Sequence, residues 1–327
     1  MNVLVTGGAG YVGSHAVKGL VERGGKVTVV DDLRRGHRQA VRGAKLEVGN
    51  VADGKWLGEV MAREKVQCVW HFAALAYVGE SVKEPGSYYE NNVGGALGVL
   101  AAMRMAGVNR LVFSSTCAVY GEPKQVPINE SAACQPVNPY GWSKRMVEQM
   151  LLDEAAARPE FGAVALRYFN VAGCAADGSL GEDHRPESHL IPLLLETALG
   201  QHAQLTVFGN NYDTPDGTCI RDYLHVEDLV AAHHLAGESM EPGRVAFYNL
   251  GIGRGYSVLE VVAAARQVTG HSLPLQFGPR RPGDPPALFA DSTLIQQTLG
   301  WRPQYVDLPT IIETAWHWKR KHPQGYA

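Results

Sequence analysis

The amino-acid sequence predicts an α/β protein built on a doubly wound parallel sheet. Short apolar segments typical of strands alternate with helical segments through the first half of the chain, as in parallel sheets covered on both faces. A glycine-rich turn joins the first predicted strand to the first predicted helix. A Ser-Ser-Thr segment follows a later strand, and a tyrosine and a lysine four residues apart stand at the start of a later helix.

Composition is typical of a soluble globular enzyme and excludes several other classes. The chain has 327 residues, of which 45% are hydrophobic and 19% charged, which is enough for a substantial core. Because the net charge is -3, we expect neither nucleic acid nor membrane as a partner. The five scattered cysteines lack a Cys-x-x-Cys pair, so we expect buried thiols in a reducing cytoplasm and no metal site. A signal-peptide pattern and a long apolar run are both missing from the sequence, which also favours a cytoplasmic protein.

The glycine-rich turn, Gly-Gly-Ala-Gly-Tyr-Val-Gly, follows the first predicted strand at once. Gly8, Gly10 and Gly13 fit the dinucleotide fingerprint, and Gly7 with the last two fits its short-chain variant. In this motif the glycines make a tight turn, let backbone amides approach a pyrophosphate, and let the helix pack on the strand. The helix predicted over residues 11–23 directs its positive end at that pyrophosphate. We therefore expect a bound dinucleotide at this turn.

The second predicted strand is followed by an acidic residue that indicates which dinucleotide binds. Asp31 stands eighteen residues after Gly13. A carboxylate at this position accepts hydrogen bonds from the adenosine ribose and repels a 2′-phosphate, which favours NAD over NADP. Arg34 and Arg35 follow closely and offer a binding site for that phosphate instead. We expect NAD, because the aspartate occupies the discriminating position.

The other predicted elements continue the alternation. Strands are predicted over residues 2–6, 26–30, 45–48, 67–72, 110–115, 162–169, 245–250 and 272–277, and helices over residues 53–64, 87–105, 140–157, 190–199, 226–238, 258–269 and 308–321. The alternation loosens after about residue 170. We expect an NAD-binding Rossmann-type domain over residues 1–169, with later segments near 225–250 interleaved, and a smaller α/β substrate lobe over residues 170–327.

Three side chains are candidates for acid–base chemistry. Tyr140 and Lys144 share one face of a predicted helix, and an ammonium near a phenol favours its ionised form, so Tyr140 is predicted to accept a proton near neutral pH. Thr116 follows a predicted strand at the carboxyl edge of the sheet, where such sheets bind ligands. Together they can handle a proton on a sugar alcohol. The Tyr-x-x-x-Lys spacing arises often by chance and is, on its own, more typical of a solvated helix face than of a catalytic pair; the glycine motif is what favours catalysis.

A set of motifs in a fixed order extends nearly from end to end of the chain. They are Thr6-Gly-Gly-Ala-Gly-Tyr-Val-Gly13, His71-Phe-Ala-Ala74, Val78-Gly-Glu-Ser81, Tyr88-Tyr-Glu-Asn-Asn-Val93, Phe113-Ser-Ser-Thr-Cys-Ala-Val-Tyr-Gly121, Pro139-Tyr-Gly-Trp-Ser-Lys144, Arg167-Tyr-Phe-Asn170, Asp216-Gly-Thr-Cys-Ile-Arg-Asp-Tyr-Leu-His-Val226 and Arg280-Arg-Pro-Gly-Asp284. With these motifs the chain resembles the extended short-chain dehydrogenase/reductase family and, within it, the UDP-glucose (UDP-galactose) 4-epimerases. The resemblance implies NAD as cofactor, a UDP-sugar as substrate, a place in galactose metabolism, and a homodimer formed through helices near residues 86–106 and 140–157.

The resemblance also implies a mechanism and a set of contacts. Tyr140 takes the proton of the sugar 4-hydroxyl while hydride passes to NAD, Lys144 lowers the tyrosine pKa and holds the nicotinamide ribose, and Thr116 bridges the phenol and the sugar oxygen. The residues implied to contact NAD are Gly7, Gly10, Tyr11, Val12, Gly13, Asp31, Asp32, Asn50, Val51, Phe72, Ala73, Ala74, Asn91, Ser114, Tyr140, Lys144 and Tyr168. Those implied to contact the nucleotide sugar are Thr116, Asn170, His189, Leu190, Thr206, Phe208, Arg221, Arg281, Asp284 and Leu288.

Five positions depart from the best-known members of this family. Ala76 and Asn50 replace a common lysine and a common aspartate near the cofactor, Thr116 replaces a serine, and His189 replaces an asparagine. Leu288 occupies the position associated with room for a 2-N-acetyl group, where a small residue admits N-acetylhexosamines and a tyrosine excludes them. Leucine is intermediate in size, so UDP-N-acetylglucosamine stays an alternative substrate to UDP-glucose and UDP-galactose.

Other functions stay open from the sequence alone. The segment 74–81 also resembles epimerases that act on UDP-xylose and UDP-arabinose. A nucleotide-sugar dehydratase usually carries an acidic residue shortly after the Ser/Thr position, whereas this chain has Cys117 and Ala118, which argues against elimination chemistry. A net dehydrogenase and a non-catalytic NAD-binding protein fit the same fold. Intact Thr116, Tyr140 and Lys144 argue against the non-catalytic alternative.

Overall fold

The structure is a computed structural model that describes residues 1–281 and 284–326. Pro282 and Gly283 of the Arg280–Asp284 motif, and Ala327, lie outside the described residues. Seven parallel strands form the main sheet: β1 (Asn2–Thr6), β2 (Lys26–Asp31), β3 (Lys45–Val48), β4 (Cys68–His71), β5 (Arg110–Ser114), β6 (Gly162–Tyr168) and β11 (Val245–Leu250). Their order across the sheet is β11-β6-β5-β4-β1-β2-β3.

Shorter strands form three small sheets outside the main one. β7 (Asn170–Ala172) pairs with β10 (Tyr223–His225), and β8 (Leu205–Phe208) pairs with β13 (Leu275–Gly278). The third sheet contains β9 (Ile220–Arg221), which lies between β12 (Tyr256–Ser257) and β14 (Ala287–Leu288).

Helices cover both faces of the main sheet, and those over residues 190–198, 258–269 and 308–321 pack together in a core of their own. They are α1 (Tyr11–Glu22), α2 (Gly54–Arg63), α3 (Val78–Lys83), α4 (Pro85–Tyr88), α5 (Gly95–Ala106), α6 (Pro139–Ala157), α7 (Leu190–Ala198), α8 (Val226–Ser239), α9 (Val258–Thr269), α10 (Thr293–Leu299) and α11 (Leu308–Lys321). A π-helical segment, Tyr89–Gly94, joins α4 to α5, and a 3-10 turn, Cys117–Tyr120, follows β5. Among the described residues, none of the helices combines the length and the apolar character that crossing a bilayer requires.

The alternation of side chains along β1 explains why the sheet is covered twice. Val3 and Val5 point to one face, where they pack with Val17 of α1 and Leu229 of α8. Leu4 points to the other face and belongs to a second core with residues of α2, α5 and α6. A strand that is buried on both faces has to be apolar through its centre, as Val3, Leu4 and Val5 are here. The doubly wound fold predicted from the sequence is confirmed.

The order of the strands places a crevice at the carboxyl ends of β1 and β4. The chain leaves β1 toward β2 on one side, while β4 and β5 lie on the other side, so β1 is the point at which the strand order reverses. Open α/β sheets bind their ligands at this point. Three of the predicted site segments, which follow β1, β4 and β5, therefore lie side by side.

The predicted elements differ from the structure mainly outside the main sheet. The single helix predicted over residues 87–105 is in fact α4, the π-helical segment and α5 in succession. The strand predicted from residue 272 begins at Leu275. The short strands β7, β8, β9, β10, β12 and β14 were not predicted, because two to four residues carry too little periodicity and their partners lie far away in sequence. The division of the chain into two domains near residue 169 stays a prediction.

Candidate active site

The turn between β1 and α1 has the shape that a bound pyrophosphate requires. Gly7 has a φ of +70°, and a Cβ there would lie 2.6 Å from the backbone nitrogen of Ala73, so only glycine fits where this turn touches the segment after β4. A Cβ on Gly13 would lie 2.1 Å from the Gly7 carbonyl oxygen, whereas one on Gly10 would meet only that same oxygen, at 3.4 Å. Among the described residues no side chain caps the first turn of α1, which begins at Tyr11, so its N–H groups are left to bind an anion.

Asp31 holds the same turn through its carboxylate. One oxygen accepts a hydrogen bond from the Ala9 N–H at 3.0 Å and the other from the Leu33 N–H at 2.8 Å. Burial raises the pKa of Asp31, and these two hydrogen bonds oppose that rise. A carboxylate oxygen can accept more than one hydrogen bond, so both oxygens can still accept from a ribose hydroxyl. Asp31 therefore lies where the sequence predicted a ribose contact, and it also shapes the loop.

The two arginines after Asp31 are both engaged by acidic groups. Arg34 donates to Asp32 at 2.6 Å and to the side-chain oxygen of Asn91. Arg35 donates to Glu80 at 2.6 Å and lies over the ring of Tyr77, 4.9 Å from its centroid. Since each guanidinium already has a carboxylate partner, neither offers an unpaired cation to a 2′-phosphate. This arrangement favours NAD, as Asp31 does.

The other residues predicted to contact NAD line the same edge of the sheet. Phe72, Ala73 and Ala74 follow β4 directly and are half-buried. Val51 is buried in the core beside α5, while Asn50 uses its side chain to accept from the Ala52 N–H at 2.9 Å. Tyr11 and Val12 open α1, and the Tyr11 hydroxyl donates to the Gly173 carbonyl at 2.5 Å. Tyr11 is therefore left to serve a cofactor through its backbone or the face of its ring.

The predicted catalytic side chains come together where β5 ends and α6 begins. Thr116, Tyr140 and Lys144 are all less than 10% exposed. Asn138 caps α6 by accepting from the Gly141 N–H at 2.8 Å, which puts Tyr140 in the first turn and Lys144 one turn further along the same face. The Lys144 Nζ donates to the Ser114 carbonyl at 2.8 Å and keeps two further N–H donors.

Burial dominates the pKa values of Tyr140 and Lys144. Burial raises the Tyr140 pKa, the nearby Tyr168 adds to the rise, and a hydrogen bond with Thr116 opposes it. Burial also lowers the pKa of Lys144 to about 7. Desolvation is the largest influence on Tyr140, and the Lys144 Nζ is directed at the Ser114 carbonyl; that Lys144 lowers the Tyr140 pKa stays a prediction. Two features still favour the phenolate, namely the Thr116 hydrogen bond and the positive end of α6.

A buried polar network that the sequence did not predict holds α6 against the sheet. Glu148 is fully buried and accepts two hydrogen bonds from the Arg167 guanidinium, at 2.8 and 2.7 Å, and one from the Ser115 hydroxyl at 2.7 Å. Arg167 also donates to the Tyr120 hydroxyl at 2.9 Å. Glu148 lies one turn beyond Lys144 on the same helix face. The spacing of Tyr140, Lys144 and Glu148 by four residues was the only signal of this role in the sequence.

Most of the predicted sugar-nucleotide residues gather around the three-stranded sheet and β8. The Arg221 guanidinium donates to Asp284 at 2.9 Å and to the Pro285 carbonyl at 2.9 Å. The Arg281 guanidinium lies over the ring of Phe208, 4.2 Å from its centroid. Thr206 shares one face of β8 with Phe208, and its hydroxyl accepts from Gln276 at 2.6 Å. Two guanidinium groups and an aromatic ring are suited to a diphosphate and a base.

The remaining substrate candidates approach from other elements. Leu288 pairs with Arg221 across the small sheet and packs against the apolar cluster that contains Val119 and Phe169. Asn170 opens β7, and its N–H donates to the Asp222 carbonyl at 3.0 Å. His189 and Leu190 stand at the start of α7. The individual roles of these residues stay predictions.

Comparison with known proteins assigns the chain to a family. A sequence profile described as NAD dependent epimerase/dehydratase family matches residues 3–251. The chain belongs to this family. A curated UDP-glucose 4-epimerase of Halalkalibacterium halodurans is 48% identical over all of this chain and 98% of its own length.

Solved structures agree with this assignment. UDP-glucose 4-epimerase from Brucella ovis in complex with NAD is 48% identical, with a TM-score of 0.92 over 97% of this chain and 98% of its own. UDP-glucose 4-epimerase from Bifidobacterium longum in complex with NAD+ and UDP is 38% identical, with a TM-score of 0.95 over 99% and 100%. The resemblance identified from the sequence motifs is confirmed.

Proposed function

We propose that this protein catalyses the reversible 4-epimerisation of a UDP-sugar, UDP-glucose and UDP-galactose above all, with a tightly held NAD. The observation that carries this proposal is that Thr116, Tyr140 and Lys144 lie at the end of β5 and the start of α6. In the main sheet one strand, β4, separates β5 from β1 and its glycine turn. Relatives across the full length of the chain carry the name of this activity. Bound NAD supplies the hydride acceptor and donor for carbon 4 of the sugar.

The residues of the chain perform the proton transfer and the orientation. Tyr140, as phenolate, accepts the proton of the 4-hydroxyl and returns it when the sugar presents its other face. In the proposed reaction the Thr116 hydroxyl bridges the phenol and the sugar oxygen. The two free donors of Lys144 are suited to the ribose of the cofactor and to the phenolate. Because proton and hydride are both returned, the product has the same oxidation state as the substrate.

Contacts with the nucleotide, rather than with the sugar, explain how one site can act on both faces of the sugar. Arg221 and Arg281 are the candidates for the diphosphate, and Asp284 and Phe208 for the uridine. If the nucleotide is held only at these points, the sugar is free to turn about its link to the diphosphate. Cofactor loss between the two transfers would leave an oxidised sugar behind, so retention of NAD is part of the proposal.

The first experiment is an assay of the purified chain without added cofactor. We expect UDP-galactose to be converted to its 4-epimer, and Tyr140→Phe to reduce turnover by about 10²–10⁴-fold, the usual contribution of a general acid–base group. NAD bound to the variant, measured after denaturation, is the control for an intact cofactor site. Near-normal turnover of Tyr140→Phe would show that the base is misassigned.

The choice of sugar follows from the same assay. UDP-N-acetylgalactosamine and UDP-arabinose, run beside UDP-galactose, test the N-acetylhexosamine and pentose alternatives. Leu288 is larger than the small residues associated with N-acetylhexosamines and packs against the apolar cluster of Val119 and Phe169, so we expect the unsubstituted hexose to be the fastest substrate. Absence of any epimer even after addition of NAD would move attention to other nucleotide sugars or to net redox chemistry.

We also propose that the chain forms a homodimer through α5 and α6 and works in galactose metabolism in the cytoplasm. Leu97 and Met105 on α5, and Trp142 and Met146 on α6, are more than 40% exposed at helical spacing, which supports a second copy as their partner. All five cysteines are free thiols, in keeping with a reducing compartment.

Light scattering tests the dimer and should give twice the chain mass of 35.4 kDa. Trp142→Glu should reduce it to the monomer, while Val306→Glu, a control at another exposed apolar site, should not.

A further inference from the structure

The loop before α7 brings together four side chains that the proposed reaction does not use as a group. Glu182, His184, Glu187 and His189 each direct one nitrogen or oxygen atom inward, and these four atoms all lie within 4.8 Å of one another. The two carboxylates are less than 10% exposed, while the imidazoles are more accessible. The sequence analysis named His189 alone among them, as a substrate contact, and expected no metal.

The distances within this group fit ligands of a common centre. The Nδ1 atom of His189 lies 2.8 Å from an oxygen of Glu182 and 3.1 Å from one of Glu187. His184 Nδ1 lies 3.1 Å from the same Glu182 oxygen and 3.7 Å from Glu187. Ligand atoms bound tetrahedrally to zinc at their usual bond lengths are separated by about 3.3 Å. The observed separations bracket that value.

One atom of the group is close to its neighbours without being hydrogen-bonded to them. The Nδ1 atom of His189 is buried and makes no hydrogen bond among the described residues, although two carboxylate oxygens lie near it. A short contact with the wrong angle for a hydrogen bond is expected when both atoms point at a third. The His189 Nδ1 atom therefore lies among carboxylate oxygens at ion-pair distance, without the geometry of a hydrogen bond to either.

We propose that Glu182, His184, Glu187 and His189 bind one divalent transition-metal ion of the Zn²⁺ type. Two imidazoles and two carboxylates are a donor set that suits Zn²⁺ and gives it four ligands. The two negative charges of the carboxylates match the charge of the ion. The site is separate from the reacting atoms assigned to Tyr140, and it stands whether or not the proposed epimerisation is correct.

The negative charges of the two carboxylates can also be balanced without a metal, by protonation of the two imidazoles. The neighbouring carboxylates raise the pKa of His184 to about 9 and that of His189 to about 10, against the effect of burial, which lowers both. Two imidazolium ions and two carboxylates are then neutral together. Exchange of two protons for one divalent ion leaves the total charge unchanged, so the two states differ by coordination rather than by charge.

The position of the site indicates what the ion would do. Tyr11, in the first turn of α1, packs its ring edge-on to His184 with centroids 6.1 Å apart and donates to the carbonyl of Gly173. Tyr77 lies beside both imidazoles, with centroids 5.9 and 6.0 Å away. A metal bound here holds residues 182–189 together beside Tyr11 and immediately before α7. The role of the metal ion is structural: it stabilises this loop next to the dinucleotide-binding turn.

Direct titration of the full chain with metal tests the proposal. After treatment with a chelator, Zn²⁺ titrated against a competing dye should bind at one ion per chain with a dissociation constant below about 1 μM. Co²⁺ should give the visible absorption of a four-coordinate site without the near-ultraviolet band of a cobalt–thiolate bond, which excludes the five cysteines as ligands. Neither readout depends on the sugar substrate or on turnover.

Variants identify the ligands. His184→Gln and Glu187→Gln should each weaken Zn²⁺ binding at least tenfold, while His202→Gln should leave it unchanged, since His202 is an exposed histidine paired with a single glutamate, Glu196, outside the cluster. Bound NAD and the thermal midpoint of each variant establish that it is folded. Absence of stoichiometric binding to the wild type, or equal affinity in all variants, would show that the cluster is a metal-free set of ion pairs.

Discussion

The buried pair of Glu148 and Arg167 gives the sharpest prediction about stability. Glu148→Gln keeps the size of the side chain and removes its charge. Arg167, whose side chain is 5% exposed, then keeps a guanidinium in the interior without an anionic partner. Breaking a buried ion pair from one side costs about 3–5 kcal/mol, and we expect about 3 kcal/mol here because the glutamine oxygen still accepts one hydrogen bond.

That free energy corresponds to a measurable shift in melting temperature. A chain of 327 residues unfolds with an entropy of about 0.7 kcal/mol/K, so a loss of about 3 kcal/mol lowers the thermal midpoint by about 4 °C. The matched control is Arg145→Ala, which removes the second cationic partner of Glu148. Its contact is longer, at 3.2 Å, and its side chain is 29% exposed, so we expect a loss below about 1 kcal/mol.

The assay is calorimetry or urea denaturation of both variants and the wild type at one fixed concentration of NAD, because bound cofactor stabilises the folded chain by mass action. Turnover is a second readout, since Glu148 holds the helix that carries Tyr140 and Lys144. A Glu148→Gln midpoint within about 1 °C of the Arg145→Ala midpoint would refute the reasoning. It would mean that the buried guanidinium finds another partner or water.

Three further predictions concern the cofactor, the sugar and pH. Asp31→Ala removes the acceptor that holds the Ala9 and Leu33 N–H groups, so NAD affinity should fall at least tenfold and the preference over NADP should narrow, as fluorescence titration with both reduced cofactors can measure. Leu288→Tyr should slow any turnover of UDP-N-acetylglucosamine more than that of UDP-glucose, and equal losses in a side-by-side assay would remove Leu288 from the specificity role. Burial lowers the pKa of Lys144 to about 7 in the folded chain, from the ordinary value of 10.5 that applies to the unfolded chain. Between these pH values the unfolded chain binds the extra proton, so the free energy of unfolding of the wild type should rise with pH relative to that of Lys144→Met. A stability difference between the two proteins that does not change with pH would show that the pKa of Lys144 is not lowered.

Local patterns in the sequence were enough to predict the main sheet and the place of the site. The apolar strands, the glycine turn and the acidic residue after the second strand each reflect a requirement that acts over a few residues. Gly7 illustrates this, since its positive φ follows from the tight turn of the motif, whereas its contact with Ala73 arises only when β4 packs beside β1. The motifs also identified the family, because several of them occur in one order along the whole chain.

Only the tertiary structure decided what depends on residues distant in sequence. Arg167 meets Glu148, and Arg221 meets Asp284, through the pairing of strands and helices that no periodicity reveals. The pKa of Lys144 is set by burial, which the Tyr-x-x-x-Lys spacing does not contain. Glu182, His184, Glu187 and His189 come from a loop without regular structure, so they meet only in the folded conformation of that loop. Local sequence determines elements and turns, whereas desolvation and long-range pairing arise only when those elements pack.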